Sequence, residues 1–354
     1  MTSPHPWFAL RLPGLRASWR LDRRVPRAVG LLILFGAIAT VIHLTQGDYA
    51  MAPPALLETL MDPGGDRDRA FVLGVLRLPR ALVAVAVGAA LGASGAILQG
   101  ITRNPLAGPG ILGINGGASL AAIVAIAAWP GVGAAQLSLM AFGGGLVTAL
   151  VIYLLSWQGG SSPTGLILMG IGITALANAV TSFAIAFSDI YAANQAMVWL
   201  VGSVYGRGWE QLGPLVGWMA IFGPLACLLG RELDVLAVGD DLAQGLGSRV
   251  ERGRGLLLLC AVALAAAAVA TAGAIGFVGL MAPHLARRWV GASHGGLIPV
   301  AALVGACTVV GADAISRIWF AAVELPCGIV TAAIGAPYFL WLLRCQGSQS
   351  GDRP

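Results

Sequence analysis

An all-α, polytopic membrane protein of about ten crossing helices is the fold this sequence predicts, and three observations predict it. Hydrophobic residues make up 57% of the 354 residues and charged residues only 10%, where a soluble domain carries about 25% charged residues. The mean hydropathy of +0.83 comes from apolar runs near the ~20 residues that one crossing needs, separated by short turns of Gly, Pro and Ser rather than by folded soluble domains. Glycine supplies 50 residues, which suits helices packed closely in lipid, where small side chains let backbones approach.

In chain order, residues 1–27 are polar and carry Arg11, Arg16, Arg20, Arg23, Arg24 and Arg27, a basic tail that the positive-inside rule places in the cytoplasm. The run at 28–46 has no small-x-small cleavage site and reads as an uncleaved first span. Residues 47–76 hold Asp48, Glu58, Asp62, Asp66 and Asp68 among Pro and Gly and are expected outside. A second span over 81–100 returns inward and is stopped by Pro105 and Pro109. Spans three to five follow at 110–129, 135–156 and 164–187. The aromatic, amphipathic stretch 189–211 is too polar to cross and suits the outer interface. A sixth span at 212–230 leads to a charged island, and spans seven to ten fall at 255–273, 276–290, 297–316 and 327–343. The membrane domain is thus 28–345, with a cytoplasmic loop at 231–254 and a C-terminal tail at 346–354. This threading puts 15 arginines inside and 6 outside, which sets both termini in the cytoplasm.

Several function classes are excluded. All 21 basic residues are Arg, so a Walker A loop with its phosphate-binding Lys cannot be built. Arg flanks the spans, so the pI near 9.3 reflects topology rather than nucleic-acid binding. Cys227, Cys260, Cys307, Cys327 and Cys345 show no CxxC spacing, and His5, His43, His284 and His294 show no ligand spacing. Neither a metal site nor a cofactor is expected, and no nucleophile and base face each other for an intramembrane enzyme.

Four motifs remain. The island Arg231–Arg254, RELDVLAVGDDLAQGLGSRVERGR, reads as two short helices broken at Gly239 and Gly245, either a solvated connector or the docking element for a soluble motor. RLPR at 77–80 opens the second span with cations that oppose the helix macrodipole and also break the charge bias, which marks either function or lipid-headgroup binding. ADAISR sets Asp313 and Arg317 at i and i+4, able to pair, either as a span-end pair or as a rigid surface for a protein partner. In 273–291 the glycines and Pro283 read as packing residues and a kink, and His284 as a packing histidine. Span centres show no obvious Asp, Glu, Lys or Arg, which disfavours an ion-coupled carrier.

Taken together, RLPR with GAALGASGAILQGITRNPLAGPGILGINGGASLA, then LAVGDDLAQGLG, GAIGFVGLMAPHLARR, ADAISR and ELPCGIVTAAIGAPYFLWLL resemble the FecCD-type permease family over about residues 30–345. These are membrane subunits of ABC importers for ferric siderophores, haem and cobalamin. The resemblance implies the type II importer architecture: a permease that alternates between outward and inward openings, paired with a second permease subunit, identical or related. Two cytoplasmic ABC ATPase subunits would dock beneath, and an extracytoplasmic binding protein would deliver substrate. By the same likeness Asp234, Leu236, Gly239, Asp240, Asp241, Ala243, Leu246 and Gly247 would couple to the ATPase. Arg77, Arg80 and Arg317 would meet acidic residues of the binding protein, and Asn104, Leu106 and Thr164 would narrow a cytoplasmic gate, although Pro163 departs from the hydroxyl expected beside Thr164. The expected cargo is an iron chelate of the ferric siderophore or ferric citrate type, with haem or cobalamin as the alternative within the family and an ion-coupled carrier as the alternative outside it.

Overall fold

In the computed structural model, residues 7–11, 18–47, 49, 51–62, 64–129, 131–157, 160–319 and 325–350 are described, with no account of the side chains of 7–11, 18–21, 343 and 345–350. The expected tails at 1–27 and 346–354, and Glu324 of the motif ELPCGIVTAAIGAPYFLWLL, lie partly or wholly outside these residues. Before the first span, β1 (Trp7–Arg11) and β2 (Ser18–Asp22) pair antiparallel. The chain then runs through α1 (Arg24–Thr45), α2 (Pro53–Met61), α3 (Arg67–Phe71), a π-helical stretch (Val72–Arg77) and α4 (Leu78–Thr102). It continues through α5 (Ile114–Ala128), α6 (Ala134–Leu155), α7 (Pro163–Ala186), α8 (Ile190–Val201) and α9 (Trp209–Leu228). The short pair α10 (Gly230–Ala237) and α11 (Asp240–Gly245) precedes α12 (Val250–Ala272), α13 (Val278–Val290), α14 (His294–Trp319) and α15 (Cys327–Ser350).

Ten of these helices answer the ten predicted spans: α1, α4, α5, α6, α7, α9, α12, α13, α14 and α15. Seven are long and apolar enough to cross a membrane, while α5 and the apolar part of α15 are shorter. The expected eighth span is a partial helix. α12 ends at Gly273 (φ 74°), residues 273–277 are not helical, Phe277 is left-handed (φ 65°), and α13 has only 13 residues, a length of about 20 Å.

Burial separates a core from a shell. The apolar windows of α4 and α12 are each 83% buried and that of α14 is 67% buried, whereas those of α1, α6, α7 and α9 are 17 to 28% buried. Small residues make the core contact close. A Cβ on Gly88 would fall on the Gly305 carbonyl, one on Gly92 on the Ala301 carbonyl, and one on Gly95 on the Gly279 carbonyl. The motif GAALGASG therefore seats α4 against α13 and α14 backbone to backbone, the contact that substitutes for hydrophobic driving force inside lipid. Ser94 Oγ donates to Ala261 O on α12 (2.7 Å) and Gln99 Nε2 to Leu280 O on α13 (3.1 Å). These fix the register of the same core.

One expectation about the segment before the second span is corrected. Residues 67–102 form one continuous helix of 36 residues, so RLPR does not open a helix and Arg77 and Arg80 do not oppose its N-terminal dipole. Pro79 lacks an N–H and crowds the carbonyl four residues back. The preceding turns widen to accommodate it, with Leu78 N donating to Leu73 O, five residues back, as in a π-bulge. Residues 47–76, in which no span was expected, carry the short helices α2 and α3.

Candidate functional site

Two polar clusters sit at opposite ends of α4. At the end where α4 begins, Asp313 of α14 is fully buried (0% exposed). Arg80 forks onto it, Nε to Oδ2 at 2.9 Å and Nη2 to Oδ1 at 2.8 Å, and His43 of α1 donates from Nε2 to Oδ2 at 2.6 Å. The pair expected between Asp313 and Arg317 is replaced by this triad, because Asp313 faces α4 and α1. Arg317 turns instead to the end of α1, donating from Nη1 to His43 O (3.1 Å) and from Nη2 to Gln46 O (2.8 Å). Arg77, 4% exposed, donates to Leu44 O (2.7 Å) and to Tyr49 O. Both guanidiniums thus cap the carbonyl end of α1, where a helix carries partial negative charge. Arg77, unfavourable at the start of its own span by sequence, is favourable at the end of a neighbour.

These residues wall a cavity of about 390 Å³ lined by Tyr49, Arg77, Arg80, Tyr205, Arg207 and Arg317 together with apolar residues of the π-helical stretch. Arg80 lies over the Tyr205 ring, 5.3 Å from its centroid. Arg207 comes from the loop 202–208 between α8 and α9, and burial pushes its pKa below the ordinary guanidinium value. Arg207 is one of the six arginines that the threading of the sequence places outside.

At the other end, α10 and α11 form the predicted pair of short helices, broken at Gly239 (φ 118°) and closed by Gly247 (φ 83°). Leu233, Leu236 and Ala243 are buried and anchor the pair to the bundle. Asp234 accepts from His294 N (2.8 Å), His294 Nδ1 (2.6 Å) and Ser293 Oγ (3.0 Å), tying α10 to the start of α14. Burial pushes Asp234 up, but the hydrogen bonds and charge of His294 outweigh it and leave its pKa below the usual carboxylate value. Asp240 is shared by two cations, Arg254 (2.6 Å) and Arg103. Here too burial raises the pKa, and the two guanidiniums together bring it below normal. Arg254, 1% exposed, also bonds Ser161 O and Oγ, and Arg103 Nε donates to Leu236 O (3.0 Å). One ionic node therefore joins the end of α4, the turn before α7, α11 and α12.

On α10, α11 and the residues that close them, an apolar ridge stands exposed among polar residues such as Arg231, Asp241 and Gln244. Val238, Leu242 and Leu246 are 55, 64 and 73% exposed and recur every four residues, with Asp241 exposed beside them. Of the residues expected to couple to a partner, Leu246, Gly247 and Asp241 face outward, Leu236 and Ala243 face inward, and Asp234 and Asp240 are tied to the bundle. Val238 and Leu242 share this exposure and are not among the residues that the resemblance named. Among the expected gate residues, Asn104 and Leu106 form a turn after α4 in which Asn104 Oδ1 accepts from Leu106 N (2.9 Å). Thr164 is exposed in the first turn of α7, and no hydrogen bond joins it to Asn104 or Leu106.

Residues 32–345 match the FecCD transport family. The chain belongs to that family. It is similar to an iron(III)-citrate import system permease protein of Bacillus subtilis, 39% identical over 93% of this chain and 98% of that one. It is likewise similar to an achromobactin transport system permease protein of Dickeya dadantii, 44% identical over 93% of this chain and 94% of that one. A solved structure of a metal-chelate type ABC transporter in an inward-facing conformation superposes with a TM-score of 0.81 at 33% identity, covering 90% of this chain and 99% of that one. As a FecCD member the protein is a multi-pass transport permease of the bacterial inner membrane and not an enzyme. ATP hydrolysis belongs to partner subunits, and the family works with binding-protein and permease partners.

Proposed function

We propose that this chain is the permease subunit of an ATP-driven importer for a ferric chelate, of the citrate or siderophore type. Two ATPase subunits seat on the α10–α11 ridge in the cytoplasm, a binding protein docks at the arginine end outside, and a second permease subunit, identical or related, completes the pathway. The observation that carries the cargo is the near full-length similarity to permeases named for iron(III) citrate, achromobactin and iron(III) hydroxamate. A cobalamin import permease of Halobacterium salinarum is 42% identical over 77% of the chain, so cobalamin is the second reading. The ridge supports the docking reading, because three large apolar side chains on a charged island beyond the spans are a liability in water unless something covers them.

The energy source tests this reading. With the ATPase and binding protein reconstituted in proteoliposomes, uptake of ferric citrate or of the chelate that the binding protein retains on purification is expected to require ATP. It should survive collapse of proton and sodium gradients by ionophores. Uptake that proceeds without ATP and disappears with an ion gradient would identify a secondary transporter instead.

A further inference from the structure

The cavity at the arginine end gathers four guanidinium groups, and they are not equivalent. Arg80 is forked onto Asp313, and Arg77 and Arg317 hold the carbonyl end of α1. Arg207 has no such commitment: its Nε is buried without a hydrogen-bond partner, and its guanidinium takes part in none of the ion pairs among the described residues. A buried, charged donor left unmade is costly, so its retention beside three other cations calls for an anion that arrives from elsewhere.

The loop that carries Arg207 is built rather than loose. Ser203 N donates to Ala272 O (2.7 Å), Tyr205 N to Ser203 Oγ (3.1 Å), and Arg207 N to Val204 O (3.3 Å), while Val204 is fully buried. Gly206 turns the chain in the left-handed region (φ 68°). Gly208 N donates to Gln211 Oε1 (2.8 Å), and Trp209 Nε1 bonds Gly74 O (2.9 Å), pinning the start of α9 to the π-helical stretch on the facing wall. A planar fork held this way suits a planar carboxylate, which accepts two parallel N–H bonds.

We propose that Arg207 is the anion-receiving residue of this cavity, seating a carboxylate carried either by a side chain of the binding protein or by the chelate being delivered. The inference rests on the reading of this end as the docking face. It goes further in assigning the open charge to Arg207, whereas Arg77 and Arg80 hold the cavity wall in place.

The test uses the full permease and ATPase complex in nanodiscs, with Arg207→Gln and Arg207→Lys beside the parent. The probes are the substrate-free cognate binding protein and free citrate, the latter titrated against chloride at constant ionic strength. If the binding protein supplies the carboxylate, Arg207→Gln weakens association of its substrate-free form about tenfold, the size of one charge-assisted hydrogen bond, and citrate competes with the parent only. If the chelate supplies it, that association is unchanged but citrate binds the parent about tenfold more tightly than Arg207→Gln. Arg207→Lys keeps the charge without the fork, so it should weaken binding less than Gln, and it serves as the readout if the Gln complex does not assemble. Variants that match the parent with both probes overturn the inference. Arg317→Glu run in parallel separates the two readings: slowed docking there with silent Arg207 variants removes this inference and leaves the docking face standing, while silence in all variants removes both.

Discussion

Replacing Asp313 by Asn should be the most destabilising single polar change in this protein. The carboxylate is fully buried and answers both Arg80 and His43, and removing one partner of a buried ion pair typically costs about 3–5 kcal/mol because the other charge is left uncompensated. The expected result is a large fall in the melting temperature of the purified complex and in the yield of assembled permease. Arg80→Met combined with Asp313→Met should recover part of the loss, since both members of the Arg80–Asp313 pair are removed together and only His43 is left without its partner. If Asp313→Asn melts with the parent, the triad does not hold α1, α4 and α14 together.

The second large effect is expected at the opposite end. Arg254 is buried and ties Asp240 of α11 to Ser161 before α7, so Arg254→Met severs the short helix pair from the turn that leads into α7. It also leaves buried acceptors without donors, each worth about 1–3 kcal/mol. We expect the amount of chelate moved per ATP hydrolysed to fall at least as far as in variants that distort the pair itself, such as Gly247→Val, whose backbone sits at a positive φ of 83°. Reversal of Asp240 to Arg should act in the same direction, because it sets three cations together. An unchanged ratio of transport to hydrolysis in Arg254→Met would show that the node is only a structural brace.

Much of this arrangement is legible in the chain because its signals are local. Apolar runs locate the spans, the abundance of glycine announces close helix contact, and the charge and glycines of the island give two short helices. The misreadings come from contacts that cross the sequence. Asp313 has a partner four residues away that spacing favours, yet it bonds Arg80 and His43, 233 and 270 residues distant. Arg77 looked misplaced at its own helix start because the carbonyl end of α1, which it caps, is invisible without the fold. RLPR reads as a span start, yet a widened turn lets the helix run through Pro79. On the island, composition marks the segment but not its faces. Packing shows that Leu236 and Ala243 are buried and that Val238, Leu242 and Leu246 stay exposed.

That ridge carries the central claim, and photo-crosslinking tests it most directly. A photoreactive residue placed at Leu246 of the assembled importer in native membranes should form a covalent product with the ATPase subunit. The same residue at Tyr205, at the arginine end, should form one with the binding protein and none with the ATPase. Products in the reverse order, or a Leu246 probe that labels only lipid and solvent while transport is active, would contradict the account.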